Sequence, residues 1–147
     1  MNKENALLKR SVRIGYVLQG NTTSIEGYGK LRETQSVQNV VKALSQIPSI
    51  TGVTITEQYS ELDQQGIDIV IQAEGLSENI GIQVKSQQKA VREFRRSVAK
   101  REKVPTNQVN NWLTEHRLIV LNGFAPQGSI ITVFHNQLDL IKKKMPN

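Results

Sequence analysis

The chain has 147 residues, a net charge of +6, 37% hydrophobic residues and no cysteine. This length suits one domain with a buried core, and the hydrophobic fraction is too high for a disordered chain. The absence of cysteine excludes disulfides and thiolate metal sites, and no apolar run reaches the roughly 20 residues of a membrane span.

Taken in chain order, residues 12–18 alternate apolar and other residues as a short strand does, and residues 20–29 are rich in turn formers and read as a loop. Residues 30–47 carry Val37, Val40, Val41, Leu44 and Ile47 on one stripe, which predicts a helix stopped by Pro48. The period then changes to two, predicting strands at residues 53–59, 67–72 and 80–85. Helical spacing returns over residues 89–103 through Val91, Phe94 and Val98, and a short helix is expected at residues 107–116 after Pro105. Residues 118–121 and 130–134 read as buried strands, and residues 136–144 as a last helix. The expected order is α-β-β-β-α-(α)-β-β-α, a mixed sheet flanked by helices in an α/β domain.

Residues 1–13 lack the apolar segment of a secretory leader, so a cytoplasmic protein with no membrane partner is expected. Between Lys85 and Arg117 lie nine Lys or Arg against three acids, Glu93, Glu102 and Glu115. Such a block suits a polyanion, because neutralised phosphates release their counterions. Lys89, Arg92, Arg95, Arg96 and Lys100 fall around one helix and are the candidate DNA contacts; a solvated helix face is the bland alternative. Aromatic residues are scarce, which argues against a stacking platform for single strands.

The informative stretch is GIDIVIQAEGLSENIGIQVKS, residues 66–86. Period two puts Asp68, Val70 and Gln72 on one face of a strand, and Gly81, Gln83 and Lys85 on one face of the next. A hairpin symmetric about Leu76 sets Asp68 opposite Val84, diagonal to Gln83 and Lys85. Glu33 extends the apolar stripe of the first helix, where a carboxylate costs stability unless a cation pairs with it. Plainer readings are a turn role for Asp68, a solvent-facing strand edge for Gln83 and Lys85, and a first-turn acid for Glu33.

An acid-bearing helix, a hairpin with Asp and (Asp/Glu/Gln)-x-Lys, then a helix and a strand resembles the core of the PD-(D/E)XK nuclease superfamily. Holliday-junction resolvases, Mrr-type restriction enzymes and a cyanobacterial intron-encoded homing endonuclease are the nearest likenesses. The resemblance covers residues 30–134 of a single domain spanning residues 1–147, with residues 1–29 as an extension. Two departures stand out: no proline precedes Asp68, and Gln83 stands where an acid is common. The resemblance implies a restriction-endonuclease-like fold and a Mg²⁺-dependent DNA endonuclease, with Mn²⁺ as an alternative ion. Asp68, Gln83, the Val84 carbonyl and Glu33 would hold the metal, and Lys85 would activate water. It further implies a homodimer or homotetramer, since two strands need two sites. Junction resolution is one alternative, and a DNA-binding or assembly protein that keeps the fold without catalysis is another.

Overall fold

The computed structural model describes residues 25–56 and 66–145, with the side chains of the first helix described from Thr34 onward. The expected strand at residues 12–18 lies outside the described residues. In chain order the elements are helix α1 (Ile25–Leu44), strands β1 (Ile50–Ile55), β2 (Ile69–Ala73) and β3 (Ile80–Lys85), and helix α2 (Gln88–Glu102). A 3₁₀ turn (Thr106–Gln108), helix α3 (Val109–Glu115), strand β4 (Leu118–Asn122) and helix α4 (Gln127–Lys144) complete the chain. No described helix is long and apolar enough to cross a membrane.

The strands form one four-stranded sheet in the order β1-β2-β3-β4. β1–β2 and β2–β3 are antiparallel, and β3–β4 is parallel. The domain is therefore a mixed α/β fold with the α-β-β-β-α-β order expected from the sequence. Its two faces differ in size. Ile69, Ile71, Ile80, Ile82, Val84, Ile119 and Leu121 face α1 and α4, meeting Val40, Leu44, Phe134, Leu138 and Ile141 in the larger core. Leu118 and Val120 face α2 and α3, meeting Val91, Val98, Val109 and Leu113 in the smaller one.

α1 begins at Ile25, so it takes in part of the stretch expected to be a loop, and its inward residues Ser36, Val40, Ala43 and Leu44 recur at helical spacing. It meets the sheet beyond β4. The Asn39 side-chain amide donates to the Gly123 carbonyl at 2.9 Å, and a Cβ on Gly123 would lie 2.6 Å from the Ser36 Cβ. Only a residue without a side chain admits that approach.

Residues 130–134 are not a strand, which corrects the reading of the sequence. The run is β-branched and apolar, yet it lies inside α4, where Ile130, Phe134, Leu138 and Ile141 are buried at helical spacing. Val133, which a fully buried strand would enclose, is 41% exposed. Helix starts also favour this outcome, because Pro126 sits at the N-cap, where its missing N–H is not needed. Burial of one stripe outweighs local strand propensity.

Among the described residues β4 is an edge strand, and the Gln137 side chain from α4 covers its centre. The Val120 N–H donates to the Gln137 Oε1 at 3.3 Å, and the Gln137 Nε2 donates back to the Val120 carbonyl at 3.5 Å. An amide thus takes the place of a strand partner on an edge that would otherwise invite one.

Candidate functional site

The β2–β3 hairpin brings the candidate residues together, although not in the expected register. The ladder pairs Ile69 with Ile82, Val70 with Gly81 and Ile71 with Ile80. This is one residue out of the register that symmetry about Leu76 gives, and the ladder ends at Ile69, before Asp68. The turn explains the difference: Gly75 adopts φ +79, which reverses the chain one residue early. Gln83 and Lys85 lie on the face carrying the smaller core, where Ile67 also packs, while Asp68 lies at the irregular step where β2 begins.

At Asp68 the backbone leaves the regular ladder. Its N–H donates to the Ile82 carbonyl at 2.8 Å, and its carbonyl accepts from the Thr56 N–H at 2.9 Å. Its carboxylate Oδ2 accepts the Val84 N–H at 2.7 Å. The carboxylate therefore completes β3 where β2 no longer supplies a backbone partner. In a strand the N–H and C=O of one residue point to the same edge. The Val84 carbonyl is thereby directed to the edge of β3 on which the Asp68 carboxylate sits, and both are oxygens of the kind a hard cation takes as ligands.

Gln83 is 7% exposed, so its amide requires partners within the protein. The orientation that satisfies both ends has Nε2 donating to the Gly66 carbonyl and Oε1 accepting from the Lys85 Nζ at 3.2 Å. Gly66 has φ +82, and a Cβ there would lie 2.9 Å from the end of the Gln83 amide that faces it. The turn is thus shaped around the amide. A carboxylate at this position would set an oxygen against the Gly66 carbonyl, which gives a local reason for glutamine where the resembled family often has an acid. With its oxygen engaged by Lys85, Gln83 positions the ammonium in this arrangement.

The Lys85 Nζ also lies 5.3 Å from the centroid of the Phe94 ring, within cation–π range. Phe94 was legible in the sequence only as part of the apolar stripe of α2; its contact with Lys85 depends on how α2 crosses the sheet. The lysine is held from two directions, by an amide oxygen and an aromatic face.

For Glu33 the structure describes the backbone in α1, while the side chain lies outside the described residues. One turn further on, Ser36 packs on Gly123, whose N–H donates to the Lys85 carbonyl at 2.8 Å. α1 therefore approaches the end of the sheet at which Lys85 sits. Among the described residues no three His, Asp or Glu side chains cluster as a metal site.

The cations of α2 separate into distinct groups. Arg92, Arg96 and Lys100 recur every fourth residue, are exposed, and have no carboxylate partner among the described residues. Lys89 pairs loosely with Glu93 at 4.0 Å. Arg95 points inward: it is half-buried, its Nη1 bonds the Asn110 Oδ1, and burial lowers its pKa from the usual arginine value. Trp112 packs on the smaller core and stacks on His116 with ring centroids 4.0 Å apart.

No protein family, curated protein or solved structure matches the chain.

Proposed function

We propose that the chain is a metal-dependent DNA endonuclease of the PD-(D/E)XK kind. The observation that carries this reading is the hairpin: at the end of β3 the Asp68 carboxylate accepts the Val84 N–H, and the flanking Gln83 and Lys85 contact each other. Beside them α2 offers Arg92, Arg96 and Lys100, spaced about 6 Å apart along the axis, a stripe suited to a phosphate backbone.

In this reading Asp68 and the Val84 carbonyl hold the cation, and Glu33 is the further carboxylate that α1 brings to the same end of the sheet. Mg²⁺ or Mn²⁺, when bound, supplies charge to the scissile phosphate and lowers the pKa of a water. Lys85 would orient that water through its ammonium and offset charge developing on phosphate. The Gln83 amide and the Phe94 face hold the ammonium in place. A second strand needs a second copy of the site, so a homodimer or homotetramer acting on duplex or branched DNA in the cytoplasm completes the proposal.

One observation favours a DNA-binding protein without catalysis. The Asp68 carboxylate already serves the Val84 N–H, and the Gln83 amide already serves Gly66, so both residues have structural duties. Incubating supercoiled and four-way-junction DNA with Mg²⁺ or Mn²⁺, beside Lys85→Ala, separates the two readings. Cutting that needs metal and falls at least about a hundredfold in the variant supports the nuclease. Salt-sensitive binding with no cutting of either substrate supports the binding protein, and preference for the junction over linear duplex marks a resolvase.

A further inference from the structure

Next to the candidate site, α2, β4 and α4 border a cavity of about 430 Å³ that is open to solvent. That is within the range of about 300–1,000 Å³ typical of ligand pockets. Its polar lining is Arg95, Gln88, Asn122, Ser129 and Gln137, with no carboxylate among the described residues. The remaining wall is apolar, including Val91, Ile130 and Val133.

Arg95 reaches this space as a half-buried cation. Among the described residues its hydrogen-bond partner is the neutral Asn110 side chain, and no carboxylate lies within ion-pair range. Removing water from a guanidinium without a counter-charge costs free energy, which an anionic ligand would offset. A guanidinium also has five N–H donors, so the Asn110 bond leaves others for an anion.

The location selects the anion. Val120 and Asn122 pair with Gln83 and Lys85 across the parallel strands β3 and β4. The cavity therefore opens one strand away from Lys85, beside the carboxyl ends of two parallel strands, where α/β sheets commonly bind ligands. A phosphate alone leaves the apolar wall without a partner; a sugar and base would cover it.

Resting on the nuclease reading, we propose that this cavity receives one unstacked nucleotide of a nucleic-acid strand. Arg95 binds its phosphate, Val91, Ile130 and Val133 pack against its base or sugar, and the adjoining phosphodiester lies at Lys85. Unstacked nucleotides occur at strand ends and at branches, so the site favours such substrates over uninterrupted duplex.

The test uses the full chain, labelled with ¹⁵N and kept in EDTA, titrated with inorganic phosphate, thymidine 5′-monophosphate and the dinucleotide pTpT. Cleavage of DNA in Mg²⁺ is measured in parallel. The expected result is that pTpT shifts the amide signals of Val91, Asn122 and Ser129, binds at least tenfold more tightly than phosphate or the mononucleotide, and weakens at least tenfold in Arg95→Gln. Should that variant fail to fold, Ser129→Glu sets a carboxylate at the cavity from an exposed first-turn position and is expected to weaken pTpT binding equally. Unmoved signals, equal binding by the variants, or tighter binding of the free mononucleotide overturns the proposal. Cleavage that persists while the cavity signals stay still removes the subsite and leaves the nuclease reading intact. Shifted signals without cleavage keep the subsite and remove the nuclease reading.

Discussion

Asp68 has two roles that a pair of substitutions separates. Its carboxylate accepts the Val84 N–H at 2.7 Å, a part-buried bond that closes the end of the hairpin. Asp68→Ala strands that donor and is expected to cost about 1–3 kcal/mol. Asp68→Asn retains an acceptor oxygen and is expected to keep most of the stability, while losing the charge that holds a cation. Urea unfolding beside Mg²⁺-dependent cleavage measures both effects, and an Asn variant that cuts at the wild-type rate would exclude Asp68 as a metal ligand. Gln83→Leu fills similar volume but leaves the Gly66 carbonyl and the Lys85 ammonium without their shared amide. The expected loss is again about 1–3 kcal/mol, read by the same unfolding experiment. A neutral result would mean that water replaces both contacts and that the amide orientation adopted for Gln83 is mistaken.

At the scale of elements, α2 divides its work by face. Val91 and Val98 anchor the helix on the sheet, Phe94 covers Lys85, and Arg92, Arg96 and Lys100 project into solvent. Exposed cations without partners contribute little to stability. Replacing all three by Ala is therefore expected to shift stability only slightly, about 0.5 kcal/mol or less per site. If each contacts one phosphate, the dependence of log K on log salt becomes shallower by about 0.9 per residue, about 2.7 for the triple variant. Fluorescence anisotropy with duplex DNA over a series of salt concentrations measures it. An unchanged slope would assign this face to solvation alone.

For the molecule as a whole, the seam between α1 and the end of β4 links the larger core to the candidate site. Gly123 touches Ser36 on one side, and its N–H donates to the Lys85 carbonyl on the other. Replacing glycine by alanine stabilises by about 0.4–1 kcal/mol where the backbone and space allow. Here the added methyl meets the Ser36 backbone, so Gly123→Ala is expected to destabilise by about 1–3 kcal/mol and to move α1 off the sheet. Guanidinium unfolding reads the sign directly, and a stabilised variant would show that Ser36 yields to the added methyl. Under the nuclease reading cleavage falls as well, because Glu33 rides on α1.

Much of this architecture was legible in the residues. Period two named β2 and β3, the spacing of Val91, Phe94 and Val98 named α2, and the alternation of residues 80–85 put Gln83 and Lys85 on one face. Those readings rest on local periodicity, which burial enforces wherever one face meets a core. The sequence by itself therefore determined the fold class and the short set of polar residues gathered on the hairpin. Tertiary structure alone decided four other features. Gly75 set the hairpin register, a stripe facing the larger core made residues 130–134 helical, Phe94 came to rest beside Lys85, and Arg95 turned toward a cavity walled by β4 and α4. Each of these depends on which distant surface a side chain meets, and neighbouring residues in the chain do not carry that information.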